Sequence, residues 1–274
     1  MSNPTPVTVL GLGAMGSRIA KRLSEAGFAV TTWNRSPTAE LRGTRIAGSI
    51  GEAVSGARFV LAMVTNDDAS GAIWREAAPS MADGAVAIES STVTPGWIRT
   101  LAMELPVPLV EAPVVGSRPQ ADAGQLIGLT AGDAVDECAD VLDAFCGRRF
   151  HMGAHGQAAI AKLAVNTFFA TQIAAASEAV SFLRRGGVTD EQWLDLLTNL
   201  PVTAPPVAGA LQGIAAGQFA PMFPINLVEK DLGYFEQAVE TRYPVAAATR
   251  ELFVQARRAG FGDENIHGVA KVFV

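Results

Sequence analysis

An α/β fold class follows from three observations on the 274-residue sequence. Short apolar runs alternate with helical patterns through the first half, and glycines at fixed spacing follow the first run. Beyond about Gly153 the chain changes to long alanine- and leucine-rich segments. Strands separated by helices imply parallel βαβ units, and the later pattern implies helices alone. The expectation is an α/β domain over residues 1–154, then an all-helical domain over residues 155–274 entered through a long interdomain helix.

The expected strands are Val7–Leu12, Ala29–Trp33, Phe59–Val64, Ala85–Glu89, Leu109–Ala112 and Leu126–Ala131. An amphipathic helix is expected from near Ala14 to just before Gly27. The Pro-free stretch from about Gly156 to Arg185 predicts a helix of roughly 45 Å at 1.5 Å per residue, longer than most. Its apolar residues at Ala158–Ala164 and Phe168–Ala176 call for partners on several faces, which other helices or a second subunit can supply. Turn signals at Gly186-Gly187, Pro201–Pro206 and Pro221–Pro224 divide the remainder.

Composition narrows the function classes. Hydrophobic residues at 49% and charged residues at 18% describe a globular chain. A net charge of −6 argues against a general nucleic-acid binder, whose phosphate contacts need a basic surface. No membrane span and no secretory start are expected, so the expected location is cytoplasmic. Cys138 and Cys146 lack metal-ligand spacing and read as buried reduced thiols. His151, His155 and His267 show no ligand cluster, and no metal is expected.

Gly11-Leu12-Gly13-Ala14-Met15-Gly16 follows Val7-Thr8-Val9-Leu10 and opens a helix. That context makes it a Rossmann dinucleotide loop: the first two glycines allow the tight turn and close approach to pyrophosphate, and the third allows helix–strand packing. The phosphates would meet the helix N-terminus, where free N–H groups and the dipole favour an anion. After the second strand, NAD enzymes usually place an acid for the ribose hydroxyls, whereas this chain has Asn34-Arg35-Ser36. A guanidinium at Arg35 with the Ser36 hydroxyl suits the 2′-phosphate of NADP(H) in preference to NAD(H). The bland alternative for Arg35 is a solvated loop residue. Val64, Thr65 and Asn66 follow a strand and read either as cofactor contacts or as plain loop.

With Ser90-Ser91-Thr92-Val93-Thr94-Pro95, Glu111-Ala112-Pro113-Val114-Val115-Gly116-Ser117, the Gly156…Lys162…Asn166 pattern and Lys230-Asp231 added in this order, the chain resembles the β-hydroxyacid dehydrogenase family over nearly its whole length. That family includes 3-hydroxyisobutyrate dehydrogenases and the glyoxylate and succinic semialdehyde reductases. The resemblance implies that Lys162 is the general acid/base on the substrate oxygen. Hydride delivery to a carbonyl leaves an alkoxide that must gain a proton, and an ammonium can polarise the oxygen and donate that proton. Asn166, four residues on and so on the same helix face, would orient the lysine or bond the substrate. Ser91 and Thr92 are implied beside nicotinamide and substrate, with a helix cap as the alternative use of their hydroxyls.

Members of the family often carry a serine before two glycines in the 115–117 segment, where this chain reads Val115-Gly116-Ser117. Gly116 and Ser117 remain candidate substrate contacts, and the form resembles the glyoxylate and succinic semialdehyde reductase branch. Lys230 is a further candidate substrate contact, with an exposed helix pair as the alternative. The reading is an NADPH-dependent reductase of small aldehyde or keto acids acting as a homodimer. The competing readings are an imine reductase on the same scaffold, whose members usually replace the lysine, and a noncatalytic NADP-binding protein.

Overall fold

The computed structural model describes residues 4–39 and 41–273; Met1–Asn3, Glu40 and Val274 lie outside the described residues. The chain forms two compact units, Met1–Lys162 and Leu163–Val274.

The strands of the first unit are β1 (Pro6–Leu10), β2 (Ala29–Trp33), β3 (Thr44–Ile46), β4 (Phe59–Ala62), β5 (Val86–Glu89), β6 (Leu109–Glu111), β7 (Val114–Val115), β8 (Leu126–Ala131) and β9 (Cys146–Gly153). Between them lie the helices α1 (Gly16–Glu25), α2 (Ile50–Val54), α3 (Asp67–Ala77), α4 (Pro95–Glu104), α5 (Arg118–Asp122) and α6 (Ala139–Asp143). Six strands pair in parallel in the order β3-β2-β1-β4-β5-β6. That is the doubly wound order, and its direction reverses between β1 and β4, where open sheets bind ligands at their carboxyl edge. β8 then runs antiparallel to β6 and β7 and parallel to β9.

Period-two alternation covers both faces of the sheet. Val7, Val9, Leu61 and Ile88 enter one apolar core with Ile19 and Leu23 of α1, while Leu10, Val60, Ala62 and Ala87 enter another with Trp74 and Ile98. Burial on both faces explains why the central strands read as unbroken apolar runs. The sequence hid β3, β7 and β9. Two of these have two or three residues, and β9 carries Arg148, Arg149 and His151 on a largely exposed edge, where charge blocks further strand addition.

The long helix α7 (Gln157–Arg185) begins in the first unit and continues into the second. The second unit adds α8 (Asp190–Thr198), α9 (Pro205–Ala216), α10 (Ile225–Ala238) and α11 (Pro244–Ala256). Leu163, Asn166, Ala170, Ile173, Ser177 and Val180 of α7 form a buried stripe at three- and four-residue spacing. The stripe packs with Trp193, Leu211, Val228 and Phe253 in the core of the second unit. Other positions of the helix stand open in the chain: Phe168 is 70% and Phe182 79% exposed. By length and composition α7 could also cross a membrane, but its buried stripe is that of a core helix.

His267 is buried in the second unit as a neutral ring. Its Nε2–H donates to the Gln218 carbonyl at 2.8 Å, and its Nδ1 accepts from Asn265 Nδ2 at 3.1 Å. Burial pushes the imidazole pKa below its ordinary value. The unfolded chain therefore binds the extra proton first, and the stability held in this ring is complete above about pH 6.5 and lost as pH falls. Lowering the pH from 7.5 to 5.5 is expected to depress the thermal unfolding midpoint more in the wild type than in His267→Gln; equal depressions would contradict the assignment.

Cys138 and Cys146 are both buried, and burial pushes each thiol up to about 12. Neither is expected to react with a disulfide reagent at pH 8 in the native protein, and both are expected to react once guanidinium unfolds it.

Candidate functional site

The glycine loop has the geometry that a pyrophosphate needs. Gly11 has φ +98°, and a Cβ there would lie 2.4 Å from the Met63 carbonyl oxygen; a Cβ at Gly16 would lie 2.0 Å from the Gly11 oxygen. These two glycines are required by backbone packing. Gly13 differs, since a Cβ there would meet nothing within 4 Å. Three residues on, α1 begins with no side-chain cap and no acid in its first turn. A helix start with neither cap nor acid, beside free volume at Gly13, fits a bound phosphate. Leu12, Ala14 and Met15 complete the loop, and α1 starts at Gly16 rather than near Ala14 because residues 14 and 15 form the turn.

Asn34 ties this loop to the end of β2. Its Oδ1 accepts from the Leu12 amide at 2.9 Å, and its Nδ2 donates to the Ser36 carbonyl at 2.9 Å. The side chain thus shapes the loop from behind. Arg35 and Ser36 are exposed next to it, leaving the guanidinium available to an anion.

Beyond the switch point, β4 and β5 end in turns that hold one another. The Val64 amide donates to Ser91 Oγ at 2.8 Å, so Ser91 links the turns and caps no helix. Capping falls to Thr94, whose Oγ1 accepts from the Trp97 amide at 3.1 Å. Asn66 has the same role for α3, accepting from the Ala69 amide at 2.9 Å, and Asp67 accepts from the Thr94 amide at 2.9 Å and its hydroxyl at 2.6 Å. Thr65 lies between these fixed points, and Thr92 lies half-buried between Ser91 and the cap.

Sequence reasoning missed the group beneath this turn. Glu89 is fully buried and accepts from Ser70 Oγ at 2.5 Å, Trp74 Nε1 at 2.8 Å and the Ser91 amide at 2.8 Å. Burial pushes its pKa up, and these bonds oppose the shift. An acid closing an apolar run was the available signal. Glu111, the next strand's last residue, is likewise fully buried.

Gly116 has φ +129°, and Ser117 caps α5 with its amide donating to Gln120 Oε1 at 3.0 Å. Val115 packs against a small apolar cluster of Leu129, Ala131 and Ala158 that also takes in Ala161 of α7. Val115 thus shares an apolar cluster with the start of α7, and Lys162 follows Ala161 as a half-buried residue.

In the second unit Asn166 Nδ2 donates to Asp231 Oδ2 at 2.7 Å. Lys230 Nζ pairs with Asp231 Oδ1 at 2.8 Å and lies 4.5 Å from the centroid of the Tyr234 ring. Asp231 is 3% exposed, so this is a buried polar cluster rather than an exposed helix pair. Asp231, which the sequence offered only as the neighbour of Lys230, holds both Asn166 and Lys230. Among the described residues no group of His, Cys, Asp and Glu could hold a metal ion.

Two family models together match almost the entire chain: the NAD binding domain of 6-phosphogluconate dehydrogenase over residues 6–153, and the NAD-binding domain of NADP-dependent 3-hydroxyisobutyrate dehydrogenase over residues 156–273. An L-threonate dehydrogenase from Cupriavidus necator is 30% identical over 97% of this chain and 95% of its own length. Glyoxylate/succinic semialdehyde reductase 1 from Arabidopsis thaliana is 31% identical over 96% of both chains. A solved 3-hydroxyisobutyrate dehydrogenase from Salmonella typhimurium shares the fold at a TM-score of 0.89 and 24% identity, over 98% of this chain and 99% of that one. With the glycine cradle, the doubly wound sheet and the helical second unit, these matches establish that the chain is an oxidoreductase of the β-hydroxyacid dehydrogenase family, of the 3-hydroxyisobutyrate dehydrogenase-like kind.

Proposed function

We propose that this enzyme is an NADPH-dependent reductase, reversibly a dehydrogenase, of small aldehyde or keto acids such as succinic semialdehyde or glyoxylate. The observation that carries the reading is a lysine, Lys162, early in the helix that follows the dinucleotide-binding sheet, in a chain similar along its whole length to a glyoxylate/succinic semialdehyde reductase. The nicotinamide cofactor supplies the hydride. Lys162 polarises the substrate oxygen and gives it a proton as negative charge develops there. Lys230, Ser91, Thr92, Gly116, Ser117 and Asn166, which Asp231 holds, are the residues assigned to the substrate. Residues 1–154 hold the cofactor and residues 155–274 complete the enzyme.

The glycine loop 11–16 takes the pyrophosphate, and residues 64–66 with Thr92 line the cofactor. Preference for NADP(H) rests on Arg35 and Ser36, exposed after β2 where no acid stands. Retention of lysine at 162 disfavours the imine-reductase reading. The enzyme works in the cytoplasm as a homodimer, with exposed Phe168 and Phe182 of α7 as the contact surface. Sedimentation is expected to give a dimer that Phe168→Glu with Phe182→Glu converts to monomer; a monomeric wild type would remove this part of the proposal.

Oxidation of NADPH and of NADH, followed with glyoxylate, succinic semialdehyde, other short carbonyl acids and one cyclic imine, tests the rest. NADPH-preferring turnover of an acid is expected, with Lys162→Ala losing turnover while still binding NADPH. Arg35→Ala is expected to weaken NADPH about ten- to a hundredfold, the worth of one charge-assisted hydrogen bond, and to leave NADH unchanged. Full turnover by Lys162→Ala would refute the mechanism, and turnover of the imine alone would transfer the chain to the competing class.

A further inference from the structure

β5 and β6 are neighbours in parallel, and Glu89 stands in register with Glu111. The donors around Glu89 all come from α3 and the Ser91 turn, as described. Glu111, on the same face, has different partners: its two oxygens accept from the backbone amides of Gly156 and, at 2.9 Å, Ala159. The opening amides of a helix have no partner within it. Here a strand residue 45 positions earlier supplies an acceptor pair, and its charge also suits the positive helix end.

The same turn of α7 is seated beside the segment that carries Ser91 and Thr92. Ala159 packs with Val93, Ile98 and Leu109, and a Cβ on Gly156, at φ +93°, would come within 3.3 Å of the Pro95 carbonyl oxygen and closer still to Arg99. Lys162 follows Ala159 by three residues, about 4.5 Å of rise along the axis. Any slide or rotation of the first turn is therefore passed to the lysine.

We propose that Glu111 is a positioning residue of the reaction: by gripping the Gly156 and Ala159 amides it fixes the start of α7 and so sets Lys162 against the Ser91–Thr92 turn. The inference rests on Lys162 as the general acid/base. Two oxygens are needed because two amides converge, and charge is needed because the amides belong to a helix start. Burial pushes the Glu111 pKa up, while the two amides, His155 and Arg99 draw it back. The buried carboxyl is thus compensated mainly by the helix it holds.

The test compares Glu111→Ala, Glu111→Gln, Gly156→Ala and Lys162→Ala with the wild type in the full chain. Deuterium exchange is read over residues 156–163, NADPH affinity by fluorescence, and kcat and KM with NADPH and whichever of succinic semialdehyde or glyoxylate the wild type reduces. Glu111→Ala is expected to speed exchange in 156–163 on the order of tenfold and to lower kcat about a hundredfold, with NADPH affinity within about twofold. Glu111→Gln keeps one carbonyl acceptor and is expected to recover part of both. Gly156→Ala, which displaces the same turn while leaving the carboxylate in place, is expected to lower kcat in the same way, and it carries the test if Glu111→Ala fails to fold. Unchanged exchange in 156–163 for Glu111→Gln, or a kcat loss matched by an equal loss of NADPH affinity, would overturn the proposal. Normal turnover by Lys162→Ala would instead sink the acid/base reading, while the exchange data still decide whether Glu111 holds the helix.

Discussion

The Ser91 turn and the start of α7 depend on carboxylates that two adjacent strands bury at their ends. An isolated ionised acid in an apolar interior is costly, and the cost is met only when donors converge on it. Glu89 gathers Ser70, Trp74 and the Ser91 amide, and Glu111 gathers two amides of α7. Because β5 and β6 are locked in register, the two anchor points are fixed relative to one another. A turn and a helix that no local sequence rule would relate are thereby held to one scaffold.

Legibility in the sequence follows the range of the interaction. The glycine loop could be read directly because its requirements are local: a turn, a close backbone approach and a helix start within six residues. The central strands were legible because burial on both faces leaves an apolar run. β7 and β9 were not, since two residues carry no period and an edge strand wears charges. Asn34 was singled out as a cofactor contact after the second strand, while its bond to the Leu12 amide spans 22 positions, a pairing that no spacing rule predicts. Capping after β5 was an alternative left open for Ser91 and Thr92, and the structure gives it to Thr94: all three are competent caps, and Ser91 accepts instead from the Val64 amide after the neighbouring strand.

The second unit shows the same limit. Asn166 and Lys230 were singled out separately, and the residue joining them, Asp231, was seen only as the neighbour of Lys230. Its carboxylate sits between an amide 65 positions away and the ammonium next to it in sequence. A buried acid with one cationic and one neutral partner has little freedom to move, and it transmits that restraint to both.

The three glycines of the loop are kept for different reasons. Gly11 and Gly16 are held by the polypeptide itself, since a methyl group on either collides with backbone oxygen. Gly13 faces open space, so the fold alone places no demand on it, and only an occupant pressing against that surface would. In a lineage that kept this architecture but stopped using a dinucleotide, Gly13 would be free to drift while its two neighbours stayed. That one position therefore records whether the scaffold still works for its ligand or merely for itself.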